Sequence, residues 1–392
     1  MSREGLTPSP VGWDSDRDIE AWLGRAPLDG NHTADACVVG LGGSGLAAVA
    51  QLAGRGLSVV GIDAGRVASG AAGRNGGFLL GGSAAFLHDA IARWGACAVE
   101  LYRETLDELA RLETVLGPRV VRRVGSIRLA GLPGAPESVA EAADREREVA
   151  DCAAHAAALR AHGLAVQDYD GPLGTGIYLP DDAAMNPVRR ALRLAAAVPP
   201  GAALHERTSA RRVEAGRVST DSGVISAGVV VVAVDGCLEV LLPQLARRVR
   251  TARLQMLATQ PVAAERLSCP VYGRWGYDYA QQAPDGRLFV GGGRDLFAEQ
   301  EWTTDAAPSV QVQAYLDGLA VRMAGEPVRV SHRWAASVAY TPDGRPLCVQ
   351  VDDGVVAIGG YNGTGNLVGP VAARAAVALA LDGTRPPDYL AS

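Results

Sequence analysis

Lysine is missing from this 392-residue chain: all 37 of its Lys/Arg-type basic residues are arginine. That absence removes lysine from every candidate mechanism. Basic residues are also outnumbered by acidic ones, giving a net charge of −6, so there is no electrostatic case for nucleic acid as a partner. The six cysteines stand at 37, 97, 152, 237, 269 and 348, with no CxxC and no Cys/His cluster at metal spacing. This excludes zinc and redox-disulfide sites, leaves no metal expected, and suits reduced cytosolic thiols. Long apolar runs are missing too. The longest, around Val224 to Val234, is too short to span a bilayer and reads as a buried strand. Met1 to Glu20 is polar and has no apolar core of the secretory kind, so the expected location is cytoplasmic, with no membrane partner. What remains is an ordinary globular balance, 48% hydrophobic and 20% charged, in a chain long enough for two lobes.

Residues 1–33 read as a polar arm with one short helix around Ile19 to Leu23. From Ala34 the pattern changes. Ala36-Cys37-Val38-Val39 is a short apolar strand, a Gly-rich turn and an Ala/Leu helix follow, and Leu57 to Ile62 is a second strand ending at Asp63. That is βαβ order. Helices are expected over roughly 89–116, 137–163 and from Asn186-Pro187 to about Val198. Strands are expected over Val120–Leu129, Arg212–Val218, Val224–Val234 and Val355–Ile358. A last helix is expected from about Val368.

Gly40-x-Gly42-x-x-Gly45 sits between the first strand and the first helix. The first Gly permits the tight turn, the second lets backbone approach a pyrophosphate, and the third lets the helix pack on the sheet. The helix N-terminus, here Gly43 and Ser44, offers free N–H groups and a partial positive charge to phosphates. Asp63 ends the second strand, where a carboxylate can accept from ribose hydroxyls. Strand, glycines, helix and acid together specify a dinucleotide site. Only one such fingerprint occurs, and no CxxxxC follows it, which points to a flavin reduced directly by the substrate.

Several further segments carry a family resemblance. Ser69 to Gly77 resembles the Gly-rich flavin loop of D-amino-acid-oxidase-type flavoproteins, the superfamily of glycine and sarcosine oxidases, bacterial D-amino acid dehydrogenase and γ-glutamylputrescine oxidase. Ala21-Trp22-Leu23 with Pro27-Leu28 and Ala34-Asp35 resembles the arm of γ-glutamylputrescine-oxidase-like members. Val230 to Ala233 resembles the strand that returns to the flavin, and Gly286 to Gly292 the substrate-domain strand over the ring. Thr341 to Pro346 and Gly360 to Gly365 resemble the two C-terminal flavin loops, with Thr364 where a His is usual. The resemblance implies an α/β fold: a Rossmann-type FAD-binding domain (34–90, 165–248, 332–392) and a discontinuous α+β substrate domain on a mixed antiparallel sheet (91–164, 249–331). It extends the FAD contacts to Ala64, Arg66, Gly73, Arg74, Asn75, Gly76, Gly77, Ala210, Ala233, Gly236, Gly360, Asn362, Gly363, Thr364, Gly365 and Asn366. The last four can place N–H groups and a helix dipole at the flavin edge where reduction puts negative charge.

The resemblance also bears on the substrate. Amino-acid-specific relatives clamp a carboxylate with an Arg at the position of Val338, and covalent relatives attach flavin through a Cys at the position of Ala336. Non-covalent FAD and a substrate without a carboxylate held there are therefore expected, the alternative being that another arginine, such as Arg74, takes the clamping role. Aromatics gather where the family builds its pocket: Trp275, Tyr277, Tyr279, Phe289, Trp334, Tyr340 and Tyr361. Such walls suit an amine, through cation–π attraction and an apolar setting that lowers the ammonium pKa. The expected reaction is oxidation of a primary or secondary amine to an imine, with Arg74, Tyr279 and Tyr361 as candidate catalytic residues and O₂ as acceptor. The competing readings are a dehydrogenase with another acceptor and a non-catalytic flavin-binding protein.

Overall fold

The computed structural model describes residues 11–14 and 22–392, and the short helix expected around 19–23 lies for the most part outside them. Among the described residues two eight-stranded sheets carry the fold. The first runs, edge to edge, Leu347–Asp352, Val355–Gly359, Val224–Val232, His32–Val39, Val59–Ile62 and Ala202–His205. All but the first of these are parallel to their neighbours. Val230, Val231 and Val232 are fully buried, as a strand covered on both faces requires. The helices Gly43–Gly54 and Gly365–Asp382 cover one face, packing Leu46, Val49, Ala372 and Ala376 against Val38, Val231 and Ile358. The expected strand 212–218 is instead a hairpin, Ala210–Glu214 and Arg217–Thr220, because Gly216 takes the left-handed conformation that turns the chain back.

The second sheet runs Val330–Tyr340, Arg250–Pro261, Arg287–Gly291, Asp278–Gln282, Val271–Gly273, Ser126–Leu129, Gly174–Leu179 and Gln167–Gly171. It is antiparallel except where Val271–Gly273 pairs with Ser126–Leu129. Gln167–Gly171, Gly174–Leu179 and the whole of Val330–Tyr340 belong to this sheet by hydrogen bonding, so the segment limits drawn at 165 and 332 do not follow the strands. Strand alternation gives the sheet two functions. Ile127, Leu129, Leu257, Leu288 and Val290 bury against the helix Val310–Ala324. Arg128, Leu254, Met256 and Tyr279 project from the other face into a cavity between the sheets. Two sequence expectations shorten: Gly95 splits the 89–116 helix into Leu87–Trp94 and Cys97–Leu116, and only Ser126–Leu129 of 120–129 is strand.

The N-terminal arm is pinned into this frame. Trp13 stacks on Phe289 with ring centroids 3.3 Å apart and donates from Nε1 to the Asn75 carbonyl at 2.9 Å. Arg287 Nη1 donates to the Gly12 carbonyl at 2.6 Å. Farther on, the fully buried Glu206 carboxylate accepts from Trp22 Nε1, Arg25 N and Val67 N. Trp13→Ala therefore removes a buried aromatic and leaves a hole above Phe289. We expect a loss of about 3–5 kcal/mol in denaturant unfolding; an unchanged midpoint would show that the arm rests on the sheet without stabilising it.

Candidate active site

The cavity between the sheets has a volume of about 770 Å³. One end is the βαβ turn. Gly40 has φ +98 and a Cβ there would lie 2.7 Å from the Ala233 carbonyl oxygen. A Cβ on Gly45 would overlap the Gly40 carbonyl itself, so these two glycines are demanded by the protein's own packing. Gly42 differs: a Cβ there meets only Ala72, at an ordinary 3.5 Å, and otherwise faces the cavity. Gly42, Gly43 and Ser44 form the cavity wall, and the first-turn amides of the helix have no helical acceptor. Asp63 also lines the wall. Its Oδ2 accepts from Leu41 N and its Oδ1 from Gly65 N, both at 2.8 Å. Burial pushes its carboxyl pKa up, and those two amides oppose the shift. The spare lone pairs can still accept from a ribose.

Sequence reasoning missed Arg190, which completes this end. Its guanidinium is fully buried and lines the cavity, and it lies so close to Gly43 that a Cβ there would be 2.6 Å from Nη1. Nη2 donates to the Asn366 carbonyl at 2.8 Å. That carbonyl is free because Pro370, four residues on in the helix, has no N–H to give it. Burial lowers the Arg190 pKa to about 10, with Glu108 opposing, so the cation persists at neutral pH; its Nε has no partner. A buried helix N-terminus, a carboxylate and an unsatisfied guanidinium in one wall fit a nucleotide pyrophosphate and ribose.

The middle of the cavity is bounded by the two Gly-rich loops. Asn75 and Asn366 bond each other through their side-chain amides, and Asn366 Nδ2 also donates to the Phe78 carbonyl. Asn362 ties its loop to the 341–346 turn, accepting from Thr341 N and donating to Gly344 O. Asp235, another residue sequence reasoning missed, lines the cavity and accepts from Tyr361 N and Ala339 N, both at 3.2 Å. Burial pushes its carboxyl up to about 6. Arg74 also lines the wall; Nη1 donates to the Ala335 carbonyl at 2.9 Å while Nε is unpartnered.

Most of the residues singled out from sequence meet on this wall: Gly40, Gly42, Gly43, Ser44, Asp63, Ala64, Arg74, Asn75, Gly76, Ala210, Ala233, Gly236, Asn362, Gly363, Thr364, Gly365 and Asn366, with Trp275, Tyr279, Tyr340 and Tyr361 beyond. Gly45, Gly73, Gly77 and Gly360 shape the loops without facing the cavity. Four expectations need correction. Arg66 turns away to pair with Asp14 at 2.9 Å. Tyr277 is partly exposed outside the cavity, beneath the Arg294 guanidinium. Phe289 is sealed under Trp13, and Trp334 is buried with its Nε1 spent on the Arg74 carbonyl. The far end of the cavity brings together residues not anticipated: Tyr102, Arg128, His155 and Tyr272. The signal for Arg128 was a lone charge in an otherwise apolar strand, Ser126–Leu129.

The open space at Gly42 separates cofactor binding from folding. Gly42→Val should give folded protein, with unchanged far-UV circular dichroism, that purifies without flavin. Asp63→Ala should keep flavin but bind it more weakly, by ~1–3 kcal/mol for a lost charged acceptor. Full flavin occupancy in Gly42→Val would show that the cofactor lies elsewhere.

Comparison with known proteins gives one consistent result. The family of FAD dependent oxidoreductases known as DAO matches residues 35–379. The probable oxidoreductase OrdL of Rhizobium meliloti (strain 1021) is 28% identical over 376 residues, covering 90% of this chain and 84% of its own. Glycine oxidase from Geobacillus kaustophilus has the same fold, with a TM-score of 0.69, 20% identity and coverage of 90% of this chain and 96% of its own. L-Proline dehydrogenase from P. horikoshii gives a TM-score of 0.70, 18% identity and coverage of 92% and 96%. The cradle built by Gly40 to Gly45, Asp63 and Arg190 has the donors that a dinucleotide requires, and the chain belongs to the DAO family of FAD-dependent oxidoreductases.

Proposed function

We propose that the protein oxidises a primary or secondary amine to the imine, with FAD held non-covalently and O₂ as electron acceptor. Bound FAD supplies the acceptor for a hydride from the carbon that carries the nitrogen. The observation that carries this reading is the character of the chamber beyond the flavin loops. Tyr279, Tyr340, Tyr361 and Trp275 wall it, and among the described residues the acids lining the cavity, Asp63 and Asp235, each accept from two backbone amides. Burial raises the pKa of all three tyrosines, so they stay neutral phenols. An amine entering as an ammonium ion meets aromatic faces and no counter-ion. It is attracted, yet loses its proton readily, and the neutral amine is the form that can release hydride. Glycine and L-proline, the compounds in the names of two fold neighbours, are themselves amino compounds.

No side chain is assigned as a general base. His155 lines the far end, but its Nδ1 accepts from Leu87 N at 2.8 Å and burial lowers its pKa well below the usual value. The positions where relatives attach flavin or clamp a carboxylate, Ala336 and Val338, both line the cavity and offer neither group. Cys237 lines it too, but burial raises its thiol pKa and disfavours the thiolate that covalent attachment needs.

Amines should therefore bleach the flavin under nitrogen faster than the matching α-amino acids; a preference for glycine, D-alanine or sarcosine over the decarboxylated analogues would overturn the reading. Electron delivery to O₂ is helped by a fixed positive charge near the ring, because superoxide forms as an anion. Arg74 is the guanidinium we assign to this task. In stopped-flow reoxidation the wild type should react fast and Arg74→Gln about tenfold more slowly. Slow reoxidation of the wild type would place the natural acceptor elsewhere.

A further inference from the structure

The far end of the cavity holds a cation that the reaction proposed above does not use. Arg128 comes from Ser126–Leu129, where alternation sends Ile127 and Leu129 into the core behind the sheet and Arg128 toward the cavity. Pairing with Val271–Gly273 sets it beside Tyr272, and its guanidinium lies between the Phe86 ring at 4.2 Å and the Tyr272 ring at 4.6 Å. Arg128 is only 5% exposed, and its Nε and Nη1 have no hydrogen-bond partner.

The acids nearest in the fold do not pair with it. Glu148 accepts from Gly131 N and Trp275 N, and Asp182 accepts from Ser126 Oγ and Gly81 N. His155, on the same wall, is neutral. A buried guanidinium with idle donors is costly, and a purely structural arginine would have them satisfied. Tyr272 and Glu148 favour its charge, and an acceptor for the idle donors can enter through the cavity that Arg128 lines. A carboxylate supplies the anionic oxygens that such donors lack, and the Phe86 and Tyr272 rings cover part of the guanidinium.

We infer that Arg128 binds a carboxylate at the end of the substrate remote from the reacting nitrogen, so that the substrate is an amine carrying its acid several carbons away. The inference rests on the amine reading above. The spacing follows from what lies between the two ends. Gly76 and Tyr279 border the flavin loops; Phe78 meets Tyr279 at 5.8 Å and Tyr272 at 6.3 Å, and Arg128 lies beyond Tyr272. The carboxylate of an α-amino acid, one carbon from the nitrogen, cannot reach past two rings. The apolar Val338 on the cavity wall agrees, since its side chain offers no charge to a carboxylate.

The test uses holoenzyme and two sets of probes. The first is 4-aminobutyrate, 5-aminovalerate and 6-aminohexanoate against butylamine, pentylamine and hexylamine, read as anaerobic flavin reduction. The second is straight-chain carboxylates without the amine, read as binding to the oxidised enzyme through the visible flavin spectrum or by calorimetry. In the wild type, one or more of the amino acids should exceed its matched amine by about ten- to hundredfold in apparent affinity, the value of a charge-assisted pair. The plain carboxylates should bind. Arg128→Met should abolish both effects, with Arg128→Lys recovering part, while flavin content and melting temperature stay near wild type. Equal behaviour of amino acids and matched amines in the wild type would overturn the assignment without need of any variant, as would carboxylate binding that survives in Arg128→Met. If no amine bleaches the flavin but carboxylate binding depends on Arg128, the anion site stands and only the amine reading falls.

Discussion

The cavity depends first on one close approach, that of the Gly45 α-carbon to the Gly40 carbonyl. No side chain fits between them. That contact draws the helix Gly43–Gly54 down onto the strand His32–Val39 and leaves its first turn aimed into the interior instead of at solvent. A helix end buried without partners is unstable, so the fold commits itself to holding something anionic there. Arg190 follows from the same commitment. It is carried in by the helix Pro187–Ala196, which Asn186 caps by accepting from Val188 N and Arg189 N. The carbonyl it bonds is one that Pro370 leaves unpaired. Three elements distant in sequence thus solve each other's unsatisfied polar groups around one ligand.

The absence of lysine gives the cavity a uniform electrostatic style. Three guanidiniums on its wall, Arg190, Arg74 and Arg128, each keep at least one buried N–H without a protein partner. A lysine in such surroundings sheds its proton near neutral pH, whereas Arg190, even lowered to about 10, stays charged. The cost of burying these cations is part of the stability the fold gives up for function. It is recovered when anions arrive, which couples ligand binding to stability.

The Rossmann half was legible because its signals are local: glycines at fixed spacing, an acid at a strand end, an Asn-Pro that starts a helix. The far end of the cavity was not. Arg128 and Tyr272 become neighbours only through strand pairing between segments far apart in the chain. Phe289 looked like a pocket residue, and its strand does lie between two that contribute Leu254, Met256 and Tyr279 to the cavity; a tryptophan from the N-terminal arm covers it, and nothing near residue 289 announces that. The pairing of the strands just after residue 165 was hidden for a similar reason. Gln167–Gly171 and Gly174–Leu179 follow a long helix, as Rossmann strands do, yet Gly174–Leu179 pairs with Ser126–Leu129 and Gln167–Gly171 pairs with Gly174–Leu179.

The two sheets must also be held in register, since a chamber misplaced against the flavin loops would misalign substrate and ring. Packing alone does this poorly, because apolar surfaces slide. The fold uses directional bonds. Asp235, in the left-handed region at φ +52, reaches both the Ala339 amide of the second sheet and the Tyr361 amide of the flavin loop. Asn362, likewise left-handed, bridges Thr341 and Gly344 to its own loop. Arg74 and Trp334 exchange bonds across the same seam, guanidinium to the Ala335 carbonyl and indole to the Arg74 carbonyl. In a medium from which water is excluded such bonds are strong and expensive to leave unmade. They fix the strand Val330–Tyr340, and with it Ala336, Val338 and Tyr340, against the loops that carry Arg74 and Tyr361. Backbone strain at Asp235 and Asn362, both with positive φ, is the counterpart of that precision: each side chain is shared between two segments of the chain that must be held together.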